Sequence, residues 1–208
     1  MITRKAERNW SFIARNGSSH RTNDSLRQMI YTIGHSIRAE KDFLAMLHQH
    51  LMEVLIDIRT IPHSRRNPQF NLANLEKSLR DAGIGYLHLP ELGGLRKPSP
   101  HSKNTAWENP GFRGYADYMS SNEFERGIER VMELGSRQNI ALMCAEAYYG
   151  KCHRMLLSDA LTIRNVEVLH ILDEKQLRPH VLTTFARVEG KKITYPAEQP
   201  SLDLSEYK

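Results

Sequence analysis

Val54-Leu55-Ile56-Asp57-Ile58 is the stretch that decides the fold. Its apolar side chains occupy both faces, a pattern typical of a parallel strand that is buried between two layers of helices. The run Ile140-Ala-Leu-Met-Cys144 repeats this pattern later in the chain. Both runs stand between segments with helical periodicity, so the sequence predicts strands that are linked through helices.

Strand and helix patterns alternate from residue 29 to residue 171. This alternation predicts an α/β fold, a three-layer domain with a mostly parallel central sheet of about five strands and helices on both faces. A Glu189-Gly190 turn between two β-rich runs predicts a C-terminal β-hairpin within residues 184–195. Ser36 is predicted to cap the first helix, and Ser120 with Glu123 to form a capping box at the third. Predicted strands cover 29–33, 54–58, 86–89, 140–144 and 166–171, predicted helices cover 37–51, 72–82, 120–135 and 151–164, and a long polar loop covers 91–111.

Length and composition place the chain among globular proteins. It has 208 residues, 40% of them hydrophobic, enough to bury a full core without disulfides or metals. Residues 1–28 lack apolar periodicity and are interpreted as a flexible N-terminal leader, which leaves residues 29–208 as a single α/β domain. No apolar run approaches the roughly 18 residues of a membrane span, and the leader has no apolar signal core. We therefore expect a cytoplasmic protein without a membrane partner.

The net charge and the two cysteines are compatible with several classes of function and select none of them. Lysine and arginine number 29 against 24 acidic residues, and the pI is near 9.2. This balance is compatible with a phosphate-bearing ligand or a nucleic acid as partner, and equally with an ordinary protein surface. In a reducing cytosol, Cys144 and Cys152 are more often catalytic, metal-binding or inert than joined in a structural disulfide.

Reactive or charged side chains follow four consecutive predicted strands. The residues that stand at or just beyond these four strand ends are His35, Asp57 with Arg59, Glu91, and Cys144 with Glu146. Because ligands of open α/β sheets bind outside the carboxyl ends of the strands, this placement predicts one shared site. The catalytic candidates are Cys144, Glu146, Asp57 and His35.

Basic loops beside these strand ends predict an anion site. The stretch from Arg59 to Phe70 carries three arginines with amide and hydroxyl groups, and guanidinium groups bind phosphate bidentately. A solvated basic loop is the alternative interpretation. The substrate- or anion-binding candidates are Arg59, Arg65, Arg66, Asn67, Gln69, Glu91, Arg113, His153 and Arg154.

Several motifs in fixed order resemble a bacterial and archaeal family known as domain of unknown function 488. They include Tyr31-Thr-Ile-Gly-His-Ser36, Ser64-Arg-Arg-Asn-Pro-Gln-Phe-Asn71, His88-Leu-Pro-Glu-Leu-Gly-Gly94 and Met143-Cys-Ala-Glu146. The resemblance covers about residues 29–195 and implies a fold and a set of positions, but no reaction. Leu55-Ile-Asp-Ile-Arg59 also looks like a strand motif of rhodaneses, and Cys144 is similarly placed to their sulfur-carrying cysteine. Arg154, however, lies ten residues beyond Cys144, whereas rhodaneses return an arginine sooner.

Three functions remain open from the sequence. The first is an enzyme that acts on a phosphorylated or nucleotide-like substrate, which includes nucleic acid, through the arginines and the Cys/Glu/Asp cluster. The second is a non-catalytic nucleic-acid-binding module, and the third is a metal-dependent or redox protein that uses Cys144, Cys152 and His153. The sequence specifies no cofactor and no oligomeric state. If Cys144 is the nucleophile, we expect it to be alkylated faster than Cys152 at neutral pH.

Overall fold

The fold is a three-layer α/β domain, seen in a computed structural model that describes residues 28–197. The central sheet has six strands in the order β3-β2-β4-β1-β5-β6, and a separate two-stranded hairpin, β7-β8, follows. The pairs that join the first five strands are all parallel, and only β6 runs antiparallel to its neighbour β5. The predicted leader falls outside the described residues, except for Gln28. The strands are β1 (Met29–Gly34), β2 (Val54–Asp57), β3 (Gly85–His88), β4 (Ile140–Cys144), β5 (Glu167–Ile171), β6 (Leu177–Pro179), β7 (Arg187–Glu189) and β8 (Lys192–Thr194).

In the part of the chain that the structure describes, five α-helices cover the two faces of the sheet. Leu55 of β2 packs in the core on one face with α1 and α2, while its neighbour Ile56 packs on the other face with α3, α4 and α5. This alternation explains why β2 is apolar at successive positions: both faces of the strand are covered. The helices are α1 (Glu40–Gln49), α2 (Leu72–Asp81), α3 (Pro110–Tyr118), α4 (Asn122–Gly135) and α5 (Arg154–Thr162).

The predicted fold class is confirmed, and several local predictions are wrong. Ser36 does not cap α1, which begins after Ala39; Ser36 instead adopts a left-handed backbone with φ 51°. The cap of α4 is Ser121 and not Ser120, because the Ser121 hydroxyl accepts the Phe124 amide hydrogen. Two elements were not predicted: α3, whose first amides are bound by the Asn109 side chain, and the short strand β6.

The strand order creates a crevice between β1 and β4. These two strands are neighbours, but the chain leaves β1 toward α1 on one face and leaves β4 toward α5 on the other. Parallel pairing continues just beyond the strands, where the His35 and Ser36 amides donate to the carbonyl groups of Cys144 and Ala145. Ligands of open α/β sheets bind at such a switch point.

Within residues 28–197, no helix combines the length and the apolar character that crossing a bilayer requires.

Candidate active site at the carboxyl edge of the sheet

A cleft of about 580 Å³ opens at the carboxyl ends of β1, β2 and β4. Its walls are the segments that follow these strands, together with the Gly94-Leu95 turn beyond β3 and the start of α3. Loops at this edge are held by a rigid sheet, which is the usual location of a site in this fold class. The cleft therefore lies where the sequence predicts a shared site.

Asp57 and Arg59 form a buried ion pair under one wall of the cleft. Asp57 is fully buried, and its carboxylate accepts hydrogen bonds from the Arg59 guanidinium and from the Arg59 backbone amide at 3.0 Å. The Tyr86 hydroxyl donates to the same carboxylate at 2.9 Å. Burial and the Asp57 charge raise the pKa of Tyr86, so this hydroxyl remains a donor. Asp57 positions Arg59 and does not itself line the cleft.

His35 lies beside Arg59, and both residues line the cleft. Arg59 Nη1 lies 3.3 Å from His35 Nε2, while His35 Nδ1 lies 2.9 Å from the Ser36 carbonyl oxygen. A guanidinium can only donate and a carbonyl can only accept, so this geometry assigns the proton to Nδ1 of a neutral imidazole. Burial lowers the pKa of His35 to about 4, although the Ser36 carbonyl raises it and the charge of Arg59 lowers it further. The ring also stacks on Phe70, with centroids 4.3 Å apart.

Cys144, Cys152 and His153 form the floor of the cleft. His153 Nδ1 lies 3.9 Å from Cys144 Sγ and 3.7 Å from Cys152 Sγ. Both thiols are free and buried, with exposed fractions of 8% for Cys144 and 3% for Cys152. Two sulfurs and one imidazole nitrogen thus meet at one point, although Cys144 ends a strand and the other two residues precede α5.

The two thiols differ in acidity because they share a hydrogen bond. The pKa of Cys152 is lowered, first by the hydrogen bond that it accepts from Cys144 and then by the neighbouring His153. The pKa of Cys144 is raised by the same hydrogen bond and by burial. These directions favour a thiolate on Cys152 over one on Cys144. This order is the opposite of the one expected from the sequence, and labelling of the two thiols distinguishes them.

Gly94 permits the close approach of His153. A Cβ atom at position 94 would lie 2.7 Å from His153 Cγ, which is closer than side chains tolerate. The imidazole is packed on another side by the ring of Tyr115, with centroids 5.0 Å apart. Glycine at this turn after β3 therefore allows the ring to face the two sulfurs.

Arg154 supports the cleft from below. It is almost fully buried, and its guanidinium donates to the carbonyl groups of Glu146 and Ala147 and to the Thr32 hydroxyl. Its contacts hold the segment after β4 in place, so Arg154 is a positioning residue.

A chain of buried polar groups continues from Thr32 to the hairpin. The Thr32 hydroxyl lies 2.7 Å from His170 Nδ1, and His170 Nε2 lies 3.1 Å from His180 Nδ1. His180 Nε2 contacts the carboxylate of Asp159 at 2.8 Å, and the Tyr195 hydroxyl donates to that carboxylate at 2.8 Å. Burial lowers the pKa of His170 to about 3. This network connects β1, β5, α5 and the hairpin.

The cleft carries cationic groups on its wall and one carboxylate. Arg66 and Lys151 are exposed and line the cleft, and the buried Arg59 lines it as well. Among residues 28–197, neither Arg66 nor Lys151 forms an ion pair. Glu146 is the acidic side chain that lines the cleft.

Apolar side chains surround the mouth of the same cleft. Ile37, Ile61 and Leu95 line it with exposed fractions of 83%, 63% and 71%. Exposed apolar groups that cluster around a polar cavity are a feature of ligand-binding grooves.

The structure brings together some of the residues predicted for the site and separates others. Arg65 is not among the residues that line the cleft, Gln69 donates to the Arg38 carbonyl, and Arg113 donates to the Trp107 carbonyl. Asp57, Glu91 and Arg154 also fall outside the cleft lining. The predicted residues that line it are His35, Arg59, Arg66, Asn67, Cys144, Glu146 and His153, together with Cys152 of the metal alternative.

Sequence reasoning missed several residues of the cleft. Lys151 stands beside Cys152, and that adjacency was a usable signal. The role of Gly94 has no sequence signal because glycine is common in turns, and the apolar mouth residues have none because a single exposed isoleucine is common.

The fold and site together define a three-layer α/β protein with a thiol–imidazole cleft at the switch point of its sheet. A family model described as "Domain of unknown function DUF488" matches residues 39–161, and the chain belongs to this family. The predicted resemblance is thus confirmed, whereas the likeness to rhodaneses remains an expectation. Comparison with curated proteins and with solved structures gives no match.

Proposed function

We propose that this protein is an enzyme that acts on a phosphate-bearing, nucleotide-like substrate bound in the cleft. One observation carries the proposal: a single cleft combines a cationic wall with a floor of two thiols and an imidazole. A binding module needs the cations but has no use for such a floor. Thiol, imidazole and carboxylate groups are those from which nucleophiles and proton-transfer groups are drawn.

Arg66 and Lys151 are the groups proposed to bind the phosphate. Both are free of acidic partners among the described residues, so their charges are available to a ligand. Arg59 contributes less, because Asp57 already binds most of its guanidinium. A hydrogen bond between charged groups contributes about 1.5–3 kcal/mol, enough for micromolar binding when several act together.

The apolar mouth favours a nucleotide over free phosphate. Ile37, Ile61 and Leu95 offer a surface that an inorganic anion cannot use, whereas a planar base can pack on it. Each side chain that a base covers adds apolar burial at about 25 cal/mol per Å².

The reacting groups in this proposal are at the floor. Cys152 and Cys144 with His153 form the centre, and Glu146 is the exposed carboxylate that can transfer a proton. Asp57, proposed from the sequence as a proton handler, is unsuited to this role because its oxygens bind Arg59 and Tyr86.

Substitution of two neighbouring arginines, one inside the cleft and one outside it, tests whether the cationic wall binds phosphate. Arg66→Ala removes a cleft cation, while Arg65→Ala removes an adjacent exposed arginine outside the cleft. Titration calorimetry with phosphate and with nucleoside monophosphates should show at least about tenfold weaker binding for Arg66→Ala, the equivalent of about 1.4 kcal/mol, and wild-type binding for Arg65→Ala. Equal effects of the two substitutions would refute the anion site.

Measurement of enzymatic turnover tests whether the residues at the floor of the cleft are the reacting groups. Cys152→Ala should retain nucleotide binding and lose the hydrolysis or transfer that a screen of phosphate esters detects in the wild type. Salt-sensitive binding of mixed oligonucleotides without any turnover would instead favour a nucleic-acid-binding module. The structure provides little for that alternative, since Trp107 is packed edge-on against Phe112, Phe185 and Tyr195 and is not free to stack on bases.

A further inference from the structure

We propose that Cys144, Cys152 and His153 bind one zinc ion at the floor of the cleft. The two sulfurs and a histidine nitrogen all lie within 4.8 Å of one another. The proposal goes beyond the function inferred above, because the metal site requires no particular substrate.

The spacing of the three atoms fits a tetrahedral ion. Zinc binds sulfur at about 2.3 Å and nitrogen at about 2.0–2.1 Å, so ligand atoms on a tetrahedron lie roughly 3.6–3.8 Å apart. The distances from His153 Nδ1 to the two sulfurs are 3.9 Å and 3.7 Å. These two distances are within a few tenths of an ångström of the tetrahedral values, and the two sulfurs lie within 4.8 Å of each other, so the side chains need only a modest adjustment around an ion.

The chemistry of the donors also favours zinc. Thiolate and imidazole ligands select zinc over magnesium or calcium, which prefer oxygen. Two thiolates side by side in a buried place are unfavourable unless a cation neutralises them, and Zn²⁺ with two thiolates is neutral.

Surroundings distinguish this site from a structural zinc site. Among residues 28–197, the cluster offers three protein ligands, whereas structural zinc sites are closed by four. All three residues line the cleft, so a water molecule or a substrate atom can reach the fourth position. This is the arrangement of a zinc ion that takes part in chemistry and not of one that only stabilises a fold.

Elemental analysis of untagged protein, purified without chelators, tests the proposal directly. We expect close to one zinc per chain in the wild type and loss of most of it in Cys144→Ser, Cys152→Ser and His153→Ala. His63→Ala is the matched control, because His63 also lines the cleft but is not part of the cluster, and it should retain the metal. Circular dichroism verifies that each variant is folded.

Cobalt substitution provides a second measurement that needs no variant. Co²⁺ added to reduced, metal-free wild-type protein should give the thiolate charge-transfer band and the visible bands of a tetrahedral site, and one equivalent of Zn²⁺ should remove them. The proposal is overturned if the isolated protein contains no metal and the Co²⁺ titration gives none of these bands. A mass that shows a Cys144–Cys152 disulfide in freshly isolated protein overturns it as well. Neither result bears on nucleotide binding to Arg66, so the two proposals can fail separately.

Discussion

Arg59 binds the carboxylate of Asp57 twice, through its guanidinium and through its own backbone amide. The pair is buried, with exposed fractions of 6% and 0%, and the Arg59 guanidinium also donates to the Phe70 carbonyl at 2.8 Å. One short turn after β2 thus fixes the wall of the cleft.

Removing Asp57 should destabilise the protein strongly. Asp57→Leu leaves the Arg59 charge buried without a partner, and breaking such a pair costs about 3–5 kcal/mol. Urea denaturation should show this loss in the free energy of unfolding. The double variant Asp57→Leu/Arg59→Met should lose less than the single one, and a larger loss in the double variant would contradict the assigned pairing.

Cys152 should be alkylated faster than Cys144 in reduced, metal-free protein. The reason is that the lowered pKa of Cys152 and the raised pKa of Cys144 place the thiolate on Cys152 near neutral pH. Time-resolved labelling with iodoacetamide and mass spectrometry measures both rates in one sample. Faster labelling of Cys144 would show that the shared proton lies on the other sulfur. Cys144→Ala, which removes the thiol donor beside Cys152, should slow the labelling of Cys152.

Stability should fall as the pH decreases from about 6.5 to about 4. The folded protein lowers the pKa of His35 to about 4 and that of His170 to about 3, so the unfolded chain binds these protons first. The contribution of the two histidines to the free energy of unfolding is complete above roughly pH 6.5, their pKa in the unfolded chain. It is lost as the pH falls toward their pKa values in the folded protein. Unfolding free energies across this range should decrease less steeply in His35→Asn. Ser36→Ala, which changes the adjacent side chain but removes no titrating group, should keep the wild-type slope.

Gly94→Ala should disturb the floor of the cleft. Its methyl group would overlap the His153 ring, and overpacking of this kind costs about 1–3 kcal/mol. Thermal unfolding should show a lower midpoint, and the spacing between His153 and the sulfurs should change. Gly111→Ala also places a methyl group at the cleft, but this group meets only the Asn109 side chain, at 3.1 Å. A smaller effect of Gly94→Ala than of Gly111→Ala would contradict the close approach.

Sequence patterns predicted the layers and the edge of the site well, because they report which residues a sheet must bury. Val54 to Ile58 is apolar on both faces since helices cover both, and this could be read directly. The helix from Pro110 to Tyr118 was missed because its glycines and proline resemble a loop; its start depends on the Asn109 side chain. Strand β6 has three residues, one of them proline, and forms only because β5 offers an open edge.

The interior of the site was less predictable, since it depends on contacts between distant segments. The sequence did not show that Cys152 folds back against Cys144, or that Arg154 turns under the loop and away from the cleft. The pairing of Asp57 with Arg59 can be inferred from the sequence, because a buried aspartate within an apolar run needs a partner.

The polar chain from Arg154 to Tyr195 sets the extent of the cooperative unit of folding. The family match ends at residue 161, yet His170, His180 and Tyr195 lie beyond that point and complete the hydrogen bonds of Thr32 and Asp159, which lie before it. A fragment cut at the boundary of the match would leave the Asp159 carboxylate buried without these donors or exposed to water. We therefore expect a fragment that lacks the segment after α5 to be less stable than one that ends beyond Tyr195.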